Sequence, residues 1–456
     1  MHRRDWLKRT AAGLALGTAP LFSRAYAAPG AQDARFLLVF LRGAYDATNV
    51  LIPAGSDFYY ESRKKIAIRK PVATGEPADP RAALSLAAAA PKGAGAAAAR
   101  AIGDWALHPA LGGSMLPLWQ RGELAFVPFA GSSDLSRSHF ETQDSLEAGL
   151  ALPGDAVAPT DRARSAALRG SGFLNRLAAA LGARGEPVAF TDGLPLALSG
   201  GLTVPNVSLK GTGRTPFDER QTRLLAQMYQ GTRFEAAIAE GFELRQTVAQ
   251  EAEAMQRRNA ALAASAPEGE MAMAMAGRMQ EMQAASRRAL SAKGFELEAR
   301  RMAALMRERY NIGFIDVGGW DTHVNQGGAQ GQLANLLDNL GRGLAGFAEE
   351  SGESWDKTVV VVVSEFGRTF RENGTGGTDH GHGTAYWVAG GAVCGGRIAG
   401  EQVGVTPQTL NQGRDWPVLN DNRALLGGLF KRLYGLSDTA LAEVLPGATA
   451  RDFALL

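Results

Sequence analysis

Five consecutive valines, Val359 to Val363, constrain the fold of this chain more than any other feature. β-Branched side chains favour strands, and an unbroken apolar run is typical of a strand buried on both faces of a parallel sheet. The run is too short for a membrane-spanning helix, which needs roughly 20 apolar residues. Other apolar segments followed by polar loops lie at 34–42, 124–129 and 311–317. We therefore predict an α/β fold with a largely parallel central sheet flanked by helices.

The composition narrows the class of protein. The 456 residues are 45% hydrophobic and 21% charged, which is ordinary for a globular protein. The formal net charge of +2 gives no basis for nucleic-acid binding. Cys394 is the only cysteine, so an intrachain disulfide is impossible and stability must come from the core, a metal or both. Beyond the N-terminus no stretch approaches the length of a membrane span, and we predict none.

The chain is predicted to form one α/β domain over residues 28–456, with a helical insertion at about residues 218–309. Ala, Met, Glu, Gln and Arg dominate the insertion, and most of these residues favour helices. Its methionines, which begin at Met271, are more typical of adaptable packing than of metal binding.

The N-terminus has the order of features found in a twin-arginine export signal. Arg3 and Arg4 precede a modestly apolar stretch at 11–22, and Ala25-Tyr26-Ala27 has the small residues of a cleavage site. The alternative is a cytosolic helix with two surface arginines. We expect residues 1–27 to be a signal peptide, the twin-arginine translocase to be a partner, and the mature protein to be periplasmic or extracellular.

Polar side chains follow three of the predicted strands at the point where each strand ends. Because the carboxyl ends of parallel strands meet at one edge of a sheet, we expect these side chains to converge on one pocket. Carboxylates and imidazoles bind divalent metals such as zinc or calcium. For Asp46 the alternative is a carboxylate that caps the following turn. The candidate metal ligands are Asp46, Asp321, His323, Glu365, His380 and His382.

Ser138 lies at a predicted helix start. Together with Glu141 it forms a capping box, which is a sufficient structural role. A helix start after a strand is also where an anion binds or a hydroxyl acts as nucleophile. Its neighbours Arg137 and His139 would suit a phosphate or sulfate group. The two roles of Ser138 are compatible.

Five short motifs, in this order along the chain, resemble those of a known family. They are Arg42-Gly-Ala-Tyr-Asp46, Arg137-Ser-His-Phe140, Gly319-Trp-Asp-Thr-His323, Ser364-Glu-Phe-Gly-Arg368 and Thr378-Asp-His-Gly381. The chain resembles an exported bacterial family with a domain of unknown function, which is related to sulfatases within the alkaline-phosphatase-like superfamily. The resemblance covers nearly all of the mature chain and implies an alkaline-phosphatase-like fold.

The resemblance also implies roles for individual residues. In that superfamily two metals are bridged by a nucleophile at a helix start, and phosphate or sulfate esters are cleaved. Ser138 is similar to the nucleophile, and Asp46 and Glu365 to two carboxylate ligands. Asp321 and His323 are similar to the ligands of one metal. His382 resembles the last imidazole ligand, with His380 as its competitor.

The chain departs from the superfamily pattern in two places. Phe366 stands where a histidine is usual beside the carboxylate, so that the second metal is in question. The spacing of Asp321 and His323 is tighter than usual, which leaves Asp316 as an alternative ligand.

Two functions follow from the resemblance as expectations. The first is a periplasmic metal-dependent hydrolase of phosphate or sulfate esters, acting on a small anionic substrate. In this enzyme Ser138 is the nucleophile, and Arg137 or Arg368 offsets negative charge in the transition state. The alternative is a non-catalytic exported binding or assembly protein that retains a degenerate site, and Phe366 favours this alternative.

Overall fold

A central sheet organises the fold. The computed structural model describes residues 33–73, 75–91, 102–103, 105–207, 209, 219–232, 235, 238–239, 242 and 294–456. Within these ranges the central sheet has eight strands, numbered here in chain order: β1 (Arg35–Leu41), β5 (Leu124–Gly131), β6 (Pro187–Ala189), β7 (Ile312–Val317), β8 (Thr358–Ser364), β9 (Thr384–Ala389), β10 (Arg397–Ile398) and β11 (Asn420–Asp421). A small antiparallel sheet contains β2 (Leu51–Pro53), β3 (Leu84–Ser85) and β4 (Trp105–Leu107).

The central sheet is largely parallel, as predicted. Its strand order is β10-β5-β9-β8-β1-β7-β6, and β11 also pairs with β5. Strand β1 pairs in parallel with both β7 and β8, while β9 runs antiparallel to β8 and β5. Leu41 of β1 is in register with Val317 of β7 and with Ser364 of β8. The three strands therefore end level, and the loops that follow them start at the same edge of the sheet.

The valine strand is buried on both faces, as its composition predicts. Val360 and Val362 belong to the apolar core on one face of the sheet, and Val359, Val361 and Val363 belong to the core on the other face. All seven residues of β8 are buried. A charged residue in this run would face one core or the other whatever its position.

Helices cover both faces of the sheet. The α-helices in the described ranges are α1 (Asp57–Ser62), α2 (Met115–Arg121), α3 (His139–Ala148), α4 (Pro159–Ala167), α5 (Phe173–Leu181), α6 (Glu219–Tyr229), α7 (Phe295–Glu308), α8 (Gln332–Ser351), α9 (Asn422–Tyr434) and α10 (Asp438–Val444). Short 3-10 helices lie at Ala47–Asn49, Pro109–Leu111, Gly182–Arg184, Leu196–Leu198 and Gly352–Lys357. Helices α7 and α8 pack in one core, and α5 and α9 pack in the other.

Both ends of the predicted helical insertion contain helices, α6 and α7. Helix α7 lies against α8 and buries Phe295, Met302 and Met306 in the core. The carboxyl-terminal end of the predicted insertion is therefore part of the main fold. The methionine-rich stretch from Met271 and the predicted signal peptide at 1–27 lie outside the described residues. Among the described residues, no helix has both the length and the apolar character needed to cross a membrane.

Two loops approach each other closely at the carboxyl edge of β8. The backbone N–H of Gly367 donates to the carbonyl of His382 at 2.9 Å, and the N–H of Gly381 donates to the carbonyl of Gly367 at 2.8 Å. Arg368 and His380 form an isolated antiparallel bridge between these loops. A Cβ atom on Gly367 would lie 1.9 Å from the carbonyl oxygen of Gly383, which leaves no room for a side chain. The contact between these loops therefore requires glycine at position 367.

We expect Gly367→Ala to destabilise the protein by about 3 kcal/mol or more, because the new methyl group must push two backbone segments apart. Gly374→Ala is the matched control, since nothing lies within 4 Å of a Cβ atom at Gly374. Its free energy of unfolding should change by less than about 0.5 kcal/mol. Thermal unfolding of both variants checks the prediction. Equal melting temperatures for the two variants would contradict it.

Candidate metal centre

The loops that follow β7 and β8 carry most of the predicted ligands to one place. Asp321 and His323 come from the loop after β7, and Arg368 comes from the loop after β8. His380 comes from the loop before β9, and His139 is the first residue of α3. The level ends of β1, β7 and β8 explain why these positions meet although they are far apart in the sequence.

Three imidazoles and a carboxylate form a compact cluster. His380 Nε2 lies 3.0 Å from His139 Nε2, 3.0 Å from His323 Nε2 and 3.3 Å from Asp321 Oδ1. His323 Nε2 lies 2.9 Å from the same Asp321 oxygen. Around a tetrahedral zinc ion with ligands at 2.0–2.1 Å, neighbouring ligand atoms are about 3.3 Å apart. His139, Asp321 and His380 offer ligand atoms that all lie within 4.8 Å of one another. The spacing of His139, Asp321 and His380 is therefore compatible with one shared ion.

Hydrogen bonds turn the same nitrogen of each ring toward the cluster. His139 Nδ1 lies 2.7 Å from Glu365 Oε1, and His323 Nδ1 lies 3.2 Å from Asp379 Oδ1. His380 Nδ1 lies 3.2 Å from the carbonyl oxygen of Arg137. Since each Nδ1 faces an acceptor, we assign the proton of the neutral ring to Nδ1. The Nε2 lone pair of His380 then faces those of His139 and His323, and a bound cation would relieve this repulsion. Such partners orient metal-bound imidazoles in proteins generally.

Arg368 supplies a fixed positive charge beside the cluster. Its Nη2 donates to Asp321 Oδ1 at 2.6 Å, and its Nη1 lies 3.3 Å from His323 Nε2. The side chain is fully buried. Its remaining donors are used by the carbonyl groups of Ala44, Thr378, Gly43 and Trp320. The guanidinium cannot move far, because four backbone carbonyls hold it.

Neighbouring charges and hydrogen bonds shift the pKa values of the groups in the cluster. Burial raises the pKa of Asp321, but Arg368 and the neighbouring imidazoles together outweigh burial, and the pKa lies below its ordinary value. Burial also raises the pKa of Glu365, and hydrogen bonds from His139 and Gln143 reverse this. The hydrogen bond to Glu365 raises the pKa of His139, while burial, His139 and Arg368 lower the pKa of His380. Both carboxylates are therefore held in the charged form.

Asp46 is not brought into the cluster. It is fully buried, and both of its carboxylate oxygens accept hydrogen bonds from Arg63. Gln326 Nε2 also donates to Asp46 Oδ2 at 2.7 Å, and Gln326 Oε1 accepts from Thr322 and Thr378. Thr322 lies between Asp321 and His323 in the sequence. Through Gln326, Asp46 therefore stabilises the loop that carries Asp321 and His323.

The structure places the remaining predicted residues around the cluster. Ser138 caps α3, and its Oγ accepts from the N–H of Glu141 at 3.5 Å. The side chain of Arg137 donates to Asp415 at 3.1 Å, and its backbone has a positive φ of 55°. Burial lowers the pKa of His382, and its charged neighbours are Asp415, Arg137 and Asp134. Asp316 pairs with Arg42 at 2.6 Å. In the described part of the chain, none of these side chains is joined to the imidazole cluster by a hydrogen bond or ion pair.

His139 is the ligand candidate that sequence reasoning missed. It lies in the Arg137-Ser-His-Phe140 motif. There the helix-capping pattern indicated a role for the hydroxyl group of Ser138 and gave no sign of a metal ligand at His139. Phe366 packs beside it, with its ring centre 5.0 Å from that of His139 and 5.2 Å from that of His380. The aromatic ring therefore fills the space behind two of the imidazoles.

The fold and the cluster define the class of this protein as a mixed α/β protein with a candidate metal centre at the carboxyl edge of its parallel strands. The chain belongs to the family described as "Protein of unknown function (DUF1501)", whose model matches residues 33–446. This match confirms the prediction of a family with a domain of unknown function. No curated protein and no solved structure matches the chain.

The cluster predicts which histidines determine zinc affinity. We expect His380→Ala to weaken zinc binding at least about 100-fold. The substitution removes a metal ligand, and loss of a residue that only orients a ligand already costs about 10–100-fold. His382→Ala should change the dissociation constant less than about threefold, because His382 is not among the residues whose ligand atoms lie together. Competition with a chromophoric chelator measures both values. A larger loss in His382→Ala than in His380→Ala would restore His382 as the ligand.

Proposed function

We propose that this protein is a metal-dependent hydrolase of phosphate or sulfate esters, with one divalent ion bound by His139, His323, His380 and Asp321. One observation carries the proposal: His380 Nε2 lies 3.0 Å from the Nε2 atoms of both His139 and His323 and 3.3 Å from Asp321 Oδ1, and the Nδ1 of each ring has an acceptor. Packing alone gives no reason for two imidazole nitrogens to lie 3.0 Å from the Nε2 atom of a third ring.

The donor set favours zinc or a similar transition metal over calcium. Calcium takes six to eight oxygen ligands, whereas zinc accepts imidazole nitrogens in a four-coordinate site. Three imidazoles with one carboxylate suit zinc, copper, iron or nickel better than a hard cation. The Nδ1 partners Glu365 and Asp379 have the role that carboxylates have beside zinc-bound histidines in other proteins.

The charge balance favours a single ion. Asp321, Glu365 and Asp379 bring three negative charges, and Arg368 brings one positive charge. One divalent ion neutralises the remaining two charges.

An anionic ester fits the surroundings of the cluster. Helix α3 starts at His139, so the partial positive charge of its N-terminus lies beside the cluster. Arg368 would offset negative charge that develops on a transferred phosphoryl or sulfuryl group. A divalent ion would polarise the ester oxygen as a Lewis acid. The resemblance to the alkaline-phosphatase-like superfamily supports the same substrate class and the choice of Ser138, beside His139, as the nucleophile.

The alternative function is a non-catalytic binding or assembly protein that retains the metal centre. Phe366 favours it, because this apolar ring lies against His139 and His380 where the superfamily usually has a further histidine. In the described ranges, Ser138 Oγ also has the N–H of Glu141 as its partner and makes no hydrogen bond to a histidine or carboxylate. Measurement of turnover distinguishes this alternative from the enzyme.

If Ser138 is the nucleophile, Ser138→Ala should lower turnover of aryl phosphates or sulfates by at least about 10³-fold. Ser437→Ala is the matched control, because Ser437 caps α10 in the same way, with its Oγ accepting from the N–H of Ala440. Each substitution should cost about 1 kcal/mol of stability through the lost cap. Only Ser138→Ala should lose activity at unchanged zinc content.

The experiment starts with metal analysis of protein that has folded in the cell, followed by a panel of aryl phosphates and sulfates. Bound metal with turnover supports the hydrolase. Bound metal without turnover on the panel favours the binding protein. Turnover that survives in Ser138→Ala would show that water, not this hydroxyl, attacks the ester.

We also propose export to the periplasm by the twin-arginine route. Replacing Arg3 and Arg4 with lysine should leave the full-length chain in the cytoplasm, because the translocase recognises the arginine pair. Cell fractionation with N-terminal sequencing measures the outcome. The exported wild-type protein should begin at Ala28, and export of the double variant at the wild-type level would overturn this proposal.

A further inference from the structure

The carboxylate of Glu365 is the meeting point of hydrogen bonds from three elements. Its Oε1 accepts from the backbone N–H of Gly43 at 2.8 Å and from Gln143 Nε2 at 2.9 Å, besides His139 Nδ1. Its Oε2 lies 2.9 Å from Ser364 Oγ, whose single proton is shared with the carbonyl oxygen of Leu41 at 2.7 Å. The residue is 1% exposed, so these partners replace water as the donors to its charge.

Gln143 can point its donor group only one way. Its Oε1 accepts from Arg42 Nη1 at 2.8 Å, and so its Nε2 must face Glu365. Arg42 is itself held between two carboxylates, Asp316 at 2.6 Å and Glu147 at 2.7 Å. A continuous chain of hydrogen bonds thus runs from Arg42 through Gln143 and Glu365 to the imidazole of His139.

Three members of this group lie on one face of α3. His139, Gln143 and Glu147 are spaced four residues apart, so that their side chains stand one above the other along the helix. Glu147 is buried and also accepts from the N–H of Ala197 at 3.0 Å. This face is fixed to the sheet edge at three successive turns. These contacts set both the rotation of the helix about its axis and its position along that axis.

We propose that Gln143 is a positioning residue for the metal centre: it holds the Glu365 carboxylate in the orientation that turns His139 Nε2 toward the ion. This inference rests on the proposed metal centre and does not require ester hydrolysis. Gln143 does not reach the cluster itself, and its effect must pass through Glu365. Removing the partner of a metal-bound histidine typically weakens metal affinity 10–100-fold.

A double-mutant cycle tests this route of action, with the zinc dissociation constant as the readout. Gln143→Met keeps the length of the side chain and removes its amide. In the wild-type background we expect zinc binding to weaken about 10–100-fold. In a Glu365→Gln background the same substitution should change the dissociation constant less than about twofold, because the residue through which it acts has already been altered. The visible spectrum of the cobalt-loaded protein should change in Gln143→Met and confirm an altered ligand geometry.

Asp144→Asn is the control on the same helix, since Asp144 is exposed, and it should bind zinc as the wild type does. The melting temperature of the metal-free variants shows whether the fold is intact, and Gln143→Asn replaces Gln143→Met if the latter does not fold.

An equal loss of affinity in both backgrounds would mean that Gln143 merely anchors α3, and no loss in the wild-type background would also overturn the inference. Wild-type protein that does not bind zinc would refute the metal centre itself. Wild-type protein that binds zinc but cleaves no ester would refute only the hydrolase.

Discussion

The ionised side chain of Glu365 is the constraint on which the candidate site depends. A buried carboxylate is costly unless donors replace the water that it loses. Here the donors come from the end of β1, from β8 itself and from two turns of α3. Their combined effect places the pKa of Glu365 below its ordinary value despite burial. The strand ends and the helix must therefore stay in place together, because loss of one leaves a buried charge with too few partners.

The buried guanidinium of Arg368 adds a positive charge that the surrounding backbone holds in place. Its guanidinium is held by the carbonyl groups of four residues in three separate loops, and it meets Asp321 at the edge of the cluster. Burial lowers the pKa of Arg368, with Asp321 opposing this. A planar group with donors in fixed directions suits this role better than lysine would. The cluster thus has a fixed positive charge on one side, next to Asp321.

The fold could be predicted because each strand has its own local pattern of apolar residues. An uninterrupted valine run can bury both faces only inside a covered sheet, and β8 lies there. The alternation of β1 residues between the two cores follows from the same rule. The direction of β9 had no such signal, because its apolar residues suit a parallel or an antiparallel neighbour equally.

The site was only partly predictable, since its contacts are between distant residues. Asp321, His323 and His380 could be selected as candidates because each follows a strand or lies in a glycine-rich loop. Glu365, predicted as a ligand, is instead the hydrogen-bond partner of His139 Nδ1. Asp46 follows a strand as well, but its partner Arg63 could not be inferred from spacing. The contact of Gln143 with Glu365 joins residues 222 positions apart, and no local pattern indicates it. The choice of His380 over His382 depends on the bridge that His380 forms with Arg368.

The spacing along α3 has a consequence for how such a chain can change. An inserted or deleted residue turns the rest of a helix by about 100° and shifts it by about 1.5 Å along the axis. Between His139 and Glu147 that change would separate the imidazole from its supports, although every residue type was kept. Gly149 ends the helix with a positive φ. Whether a substitution within α3 is tolerated therefore depends on the chemistry of the new side chain. An insertion or deletion between His139 and Glu147 disrupts the site whatever residue is involved.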